Sequence, residues 1–386
     1  MKTLRFILLS LLVLLSACNT PAVPTATQTA VSVHPTILPD TPAPAGIKAA
    51  IEEAPTFTGI HMLNEKDGWA VTETQIVRTD DGGVTWYNVT PLGIGELGYG
   101  TTSAFIDRDN AFINITDPVD PINGNLYRTS DGGLTWTSNP VPFGRGDLRF
   151  LDPVNGWMMA DRGAGAGSMG VAIFQTTDGG KSWTQTYTND PNYPDAKDSL
   201  PLGGLKNNLT PITMQIAWVG GVTYASGVVY LYRTTDAGYN WSLVSLPLPK
   251  DAQNLSFNVD DMQFVTEMDG FLVLRINGDA TQQTVYVTHD GGGTWSQTPT
   301  LIPQGGSADF SSAAEGVIYN GDQFYVTRDA AQTWTSVTPN IVFGDSFSSM
   351  DFVNSSTGWV ITTDANNHRS LYRTSDGGTT WFPLVP

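Results

Sequence analysis

The chain has 386 residues, 19 Lys and Arg against 37 Asp and Glu, a formal charge of −18 and a single cysteine. One cysteine excludes an intramolecular disulfide, a zinc centre built on two or more thiolates and a thiolate-held iron–sulfur cluster. The acid excess argues against nucleic acid as a partner, since that is held largely through Lys and Arg, and 30 Asp with 40 Gly point to a chain rich in turns.

Residues 1–17 place Lys2 and Arg5 ahead of a mostly apolar run from Phe6 to Leu15. That run is too short for a membrane-spanning helix of about 20 residues and reads as the core of a signal peptide. It ends in Leu15-Ser16-Ala17-Cys18, which resembles the bacterial lipobox. The resemblance implies diacylglyceryl transfer to the Cys18 thiol, cleavage before it, and a lipid-anchored protein on the extracytoplasmic side of the bacterial cell envelope. Residues 18–46 then turn to Pro, Thr, Ala and Val with almost no charge, a composition that cannot bury a core and predicts an extended tether. The folded domain is expected at 47–386, with 47–54 either adding to a sheet edge or forming a short helix.

One eight-residue unit recurs through that domain. It runs from Thr79 to Trp86 (TDDGGVTW) and returns at Thr129, Thr176, Thr234, Thr288, Thr327 and Thr374. The central aspartates are Asp81, Asp131, Asp178, Asp236, Asp290, Asp329 and Asp376, spaced 39 to 58 residues apart, which is a propeller-blade length. These units resemble the Asp-box, or BNR repeat, Ser/Thr-x-Asp-x-Gly-x-Thr-Trp. The Asp carboxylate can accept backbone N–H bonds across a hairpin turn, Gly supplies a positive φ, and Trp packs between sheets, so all seven aspartates read as structural. Asn240 and Ala331 depart from the pattern and predict looser fourth and sixth turns.

Around each box the strand signals repeat. A short apolar run such as Leu148 to Leu151 comes first, then a strand opening on Gly68-Trp69, Gly156-Trp157 or Gly358-Trp359, then a third running into the box, and a fourth beyond the Trp. Four strands in each of seven repeats predict an all-β chain, a seven-bladed β-propeller of four-stranded antiparallel blades. Each blade takes its strands from its own repeat, so no exchanged strand locks the ring.

With strands ordered from the channel outward, the boxes and the short first turns share one face. Length variation falls on the opposite face, at Asp117 to Asn125, Asp161 to Gly170, Tyr187 to Pro211 and Ile276 to Thr284. Variable loops on a rigid scaffold mark a binding surface, so a protein or glycan ligand is expected there over repeats 2 to 4, with Arg145, Arg162 and Tyr193 as binding residues. Arg78, Arg128, Arg233 and Arg373 recur three residues before the box aspartate, as a basic ring or, more simply, as strand arginines pairing with acids or lying over a Trp face. Arg145-Gly146-Asp147 is an adhesion-like tripeptide that chance explains. Asp107, Asp109, Asp117 and Asp120 could supply oxygen ligands to calcium, but no twelve-residue EF-hand loop is present, and no metal or cofactor site is assigned.

Asp-box propellers include sialidases, and that resemblance would imply an arginine triad, a Tyr nucleophile with a Glu partner and an Arg-Ile-Pro motif before the first box. No Arg-Ile-Pro occurs, and between Cys18 and the first box no Arg precedes Arg78. His61, His289 and His368 are dispersed and no nucleophile elbow or phosphate loop is present, so no catalytic residue is assigned. The coupling of a Gly-Trp strand to Thr-x-Asp-Gly-Gly-x-Thr-Trp, as in Gly68-Trp69 with Thr79 to Trp86, more closely resembles the photosystem II assembly and stability factor family over residues 57–386. That resemblance implies a binding role and an arginine patch, which maps here only onto the four strand arginines. The sequence thus predicts a membrane-anchored, extracytoplasmic, non-enzymatic propeller that binds a protein or glycan, with a divergent sialidase-like glycoside hydrolase as the alternative.

Overall fold

The computed structural model describes residues 41–43, 49–51, 55–98, 100–250 and 252–384. The signal peptide, Cys18 and most of the tether lie outside them. In the first box Thr79 Oγ1 donates to Asp81 Oδ1 at 2.9 Å, Thr85 N–H donates to the same oxygen at 2.8 Å, and Gly83 N–H bonds back to Thr79 Oγ1 at 2.9 Å. The residue after each aspartate donates to the first turn of its own repeat, as Gly82 N–H does to Lys66 O at 2.8 Å. Boxes and first turns therefore share one face.

The fourth and sixth turns are as tight as the rest, contrary to expectation. Asn240 donates both its backbone N–H and its side-chain amide to Asp236, at 2.9 and 2.8 Å, doing what Thr does elsewhere. In the sixth, Thr333 N–H reaches Asp329 Oδ1 at 2.8 Å, and the departure from Gly shows in the backbone instead: Ala330 and Ala331 sit at φ 56° and 62°. For an L-residue that region costs about 1–2 kcal/mol.

Seven sets of four antiparallel strands follow, each taken from its own repeat. Their inner strands are Phe57–Met62, Thr102–Phe105, Gly146–Phe150, Leu205–Pro211, Ser256–Phe264, Ser307–Phe310 and Phe347–Phe352. The register explains the Gly-Trp signature: Met62 pairs with Gly68, Phe150 with Gly156 and Phe352 with Gly358. A Cβ on Gly358 would fall 2.4 Å from the Phe352 ring, so the inner aromatic requires the missing side chain. The Trp beside that glycine points the other way, as alternation along a strand demands.

Among the described residues the buried apolar side chains gather into seven clusters, one at each junction between successive blades. Trp69 and Trp136 belong to the cluster between blades 1 and 2, Trp157 and Trp241 to that between 3 and 4, and Trp86 and Trp359 to the one joining blade 7 to blade 1. Among the described residues no strand is exchanged across the closure between blade 7 and blade 1. That junction is held instead by Met62 N–H on Asp351 Oδ2 at 2.8 Å, Trp359 Nε1 on Gly82 O at 2.9 Å and Arg369 Nη1 on Phe57 O at 2.7 Å.

Two predicted insertions are strand rather than loop. Gly156–Gly165 and Ser168–Thr176 pair out to Gly165 with Ser168, and Gly270–Asn277 and Thr281–Thr288 pair out to Asn277 with Thr281. These hairpins lengthen because alternating residues continue to find partners across the ladder. Ala49–Ala50 adds to the outer strand of blade 1, and Thr41–Ala43, in the stretch whose composition suggests a tether, pairs with Trp136–Val141 of blade 2.

Candidate functional site

The loop face over blades 2 to 4 brings two of the three expected binding residues together. Arg162 lies over the Tyr193 ring at 5.8 Å and over Phe174 at 5.7 Å, while its Nη1 and Nη2 donate to Ile122 O and Pro142 O at 3.3 and 3.1 Å. Its guanidinium thus ties blade 2 to blade 3 and fixes the tyrosine ring beside it. Arg145 is exposed and pairs with Asp161 at 2.7 Å, apart from that stack. The adhesion-like tripeptide is not displayed: Asp147 takes Leu209 N–H at 2.7 Å and Arg149 Nε at 2.7 Å.

The excursion at 189–204 is tied down by Lys206. Its ammonium is buried and donates to Met169 O, Pro201 O, Leu202 O and Gly204 O at 2.6 to 3.0 Å. Burial lowers its pKa to about 8. Around this anchored loop Val119, Ile122, Leu202, Tyr224 and Val228 are exposed. Such a concentration of exposed apolar and aromatic side chains on one rim, beside fixed cations, is the composition of a contact surface.

The strand arginines make no ring. Arg78, Arg233 and Arg373 lie over Trp69, Trp218 and Trp359 at 5.5, 5.3 and 5.1 Å, and Arg128 donates to Asn139. They are wedged between blades, so the arginine patch implied by resemblance has no counterpart in them. Asp107 and Asp117 accept N–H groups of their own turns, Asp109 and Asn110 for the first, Val119 and Asp120 for the second. Among the described residues no group of three or more His, Cys, Asp or Glu is arranged to hold a metal.

Sequence reasoning missed the central channel. A cavity of about 710 Å³ is lined by the inner strands, and in six of the blades the residue one before the inner Phe or its equivalent lines it: His61, Arg149, Thr210, Gln263, Asp309 and Asp351. Several of these also bond to the next blade. Asp309 Oδ2 accepts Phe352 N–H at 2.6 Å and Gln263 Oε1 accepts Phe310 N–H at 2.8 Å, as Asp351 does Met62 N–H. Burial raises the pKa of both Asp309 and Asp351, and the like charge of Asp309 raises Asp351 further. Burial likewise lifts Asp261 to about 6, against the hydrogen bond from Met262 and the charge of Arg149. His61, 3.7 Å from Asp351, is lowered by desolvation and by Arg149. Its side chain is 51% exposed, but to water within a channel that protein encloses, so its solvation is poorer than exposure implies. The signal was a polar residue recurring just before the inner aromatic or its equivalent, in register with the tryptophan of the next strand, as His61 is with Trp69, Arg149 with Trp157 and Asp351 with Trp359.

Comparison with known proteins returns this architecture. The family model of the DUF6242 beta-propeller domain matches residues 123–319. A xyloglucanase of Hypocrea jecorina (strain QM6a) is 24% identical over 361 residues, covering 84% of this chain but 36% of that enzyme, so the chain spans about a third of that relative. Among solved structures, YCF48 bound to D1 peptide aligns with a TM-score of 0.53 at 17% identity, over 86% of this chain and 97% of that one. The GH74 xyloglucanase of Xanthomonas campestris aligns at 0.56 and 15% identity, over 90% of this chain and 56% of that one. At these identities the likeness is one of fold. With its repeated boxes, closed ring of blades and matched central half, the chain belongs to the DUF6242 beta-propeller domain family.

Proposed function

We propose that this propeller is a non-enzymatic binding module, lipid-anchored through Cys18 in the extracytoplasmic space of a bacterium, which receives a protein partner on its loop face over blades 2 to 4. The observation that carries the reading is the Tyr193 ring held on Arg162, beside the exposed Val119, Ile122, Leu202 and Tyr224. Pre-fixed aromatic and apolar groups of this kind lose little entropy on binding. A fold neighbour solved with a bound peptide is consistent with it.

The test places a photo-crosslinking amino acid at Tyr193 or Tyr224 and, as control, at Val84 in the first box of the full membrane-bound chain. The reading expects one defined protein adduct from the first two positions, competed by unlabelled chain and weakened by Arg162→Ala. Adducts from Val84 alone would overturn it. For the anchor, Cys18→Ser should release the protein from the membrane fraction, and unchanged fractionation would count against lipidation.

A second reading, a divergent glycoside hydrolase, is favoured by the 24% identity to a xyloglucanase and by the paired carboxyls Asp309 and Asp351. A carboxyl kept protonated near neutrality is what a general acid needs. Turnover of fluorogenic glycosides that is lost in Asp309→Asn would establish this reading in place of the first.

A further inference from the structure

A second cavity opens on the loop face, over blades 5 to 7, away from the Arg162 and Tyr193 pair. Its volume is about 530 Å³, within the ~300–1,000 Å³ of small-molecule sites. One wall is a chain of hydrogen bonds that begins at Gln283, which is fully buried. Gln283 Oε1 accepts Gly306 N–H at 3.2 Å, and its Nε2 donates to Gly306 O at 3.0 Å and Asp260 Oδ2 at 3.1 Å. Asp260 Oδ2 in turn holds Arg275 Nε at 2.8 Å. The guanidinium is thereby oriented through its inner nitrogen, and among the described residues its two Nη groups have no protein partner.

The opposite wall is aromatic. Phe347 packs on the buried Tyr319 ring with centroids 4.7 Å apart. Tyr319 is fixed in turn, donating its hydroxyl to Gly321 O at 2.5 Å and accepting Phe343 and Gly344 N–H at 3.2 and 3.1 Å. Backbone approaches closely on the remaining side: a Cβ on Gly306 would stand 1.7 Å from Tyr319 O. Asp261 and Asp345 complete the lining.

This lining selects by charge as well as by shape. An anion would meet Asp261 and Asp345, and a simple cation would meet Arg275. A ligand whose adjacent hydroxyls both accept and donate satisfies the guanidinium and the carboxylates together, and its C–H face suits Phe347. We propose that the pocket over blades 5 to 7 binds a neutral pyranose unit, with Phe347 against the ring and Arg275, Asp261 and Asp345 bonding its hydroxyls. The pocket shares no residue with the protein-contact surface proposed above, and the inference stands independently of that reading.

The experiment is saturation-transfer NMR and titration calorimetry on the full chain in a sugar-free detergent. The probes are cellobiose, maltose and mannobiose, with a digalacturonate and Nα-acetyl-lysine amide as charged controls. At least one neutral disaccharide is expected to bind, with affinity reduced tenfold or more by Phe347→Ala and by Arg275→Ala and unchanged by Tyr193→Ala. Should Arg275→Ala fail to fold once Asp260 loses its partner, Phe347→Ala and the exposed Asp345→Asn carry the test. Three results would each overturn the proposal: no neutral disaccharide binding, binding untouched by Phe347→Ala and Asp345→Asn, or binding of only a charged control.

Discussion

Aspartates occupy two regions of this molecule and behave in opposite ways. At the boxes, burial alone would raise Asp178, but the hydroxyl and N–H of Ser182 and the hydroxyl of Thr176 outweigh it and the pKa falls. Asp290, open to solvent, is lowered to about 2 by Thr294 and Thr288. In the channel, Asp309 takes the Phe352 and Phe310 N–H groups and the Gln263 side chain, and Asp351 takes Met62 N–H, yet burial outweighs these donors and both rise. The residue type is the same and the depth of burial decides: hydrogen-bond donors outweigh desolvation at the partly exposed boxes, but not in the channel, where a neighbouring like charge adds to it.

The comparison breaks most readily at a box. Asp178→Ala removes the acceptor for Ser182 N–H, Ser182 Oγ and Thr176 Oγ1, at 2.9, 2.6 and 2.8 Å, and should cost about 2–3 kcal/mol, read as a lower urea midpoint. A change below about 0.5 kcal/mol would mean that the turn holds without its carboxylate.

The channel should respond with the opposite sign. Its raised carboxyls contribute stability that is complete below the unfolded pKa and is lost as pH rises through the folded values. The lowered box carboxyls contribute stability present above the unfolded pKa and lost as pH falls through theirs. Thermal stability should therefore peak at about pH 4, where the unfolded carboxyls titrate, and decline on both sides, the alkaline decline running to about pH 7. Asp309→Asn keeps an acceptor for Phe352 N–H while removing the charge, and should stabilise the fold at pH 8 by on the order of 1 kcal/mol and flatten the alkaline decline. Destabilisation at pH 8 would show that the Asp309 charge is compensated after all.

Smaller effects sharpen the same contrast. Ala330→Gly relieves a φ of 56° in the sixth box and should add about 0.5 kcal/mol, whereas the matching change at a residue with negative φ should subtract. His61→Gln should change stability at pH 7 by less than about 0.5 kcal/mol, because a histidine whose pKa lies below 6.5 is already neutral there. An NMR titration placing the His61 pKa above 6.5 would contradict this.

Much of the fold was legible in order along the chain. The box closes within eight residues, from Thr79 to Trp86, so its sevenfold repetition indicates the blades directly, and the Gly-Trp pair announces a bulky inner residue a few positions upstream, Met62, Phe150 or Phe352. The arginine of the third strand could be assigned to a Trp face by the same local logic. The candidate sites were less accessible. Arg162 and Tyr193 are brought into contact from different segments, and Arg145, adjacent to a promising loop, is diverted to Asp161.

What the sequence determined by itself is therefore what is made within one repeat: the turn, the strand order, the direction of each Trp. Closure of the ring, the ionisation of the channel and the polar pocket over blades 5 to 7 were decided by tertiary structure. Met62 and Asp351 stand 289 residues apart, and Asp309 bonds Phe352 across 43. A local motif fixes its own hydrogen bonds wherever it lies, but desolvation and like-charge proximity exist only once separate blades are brought around a common axis.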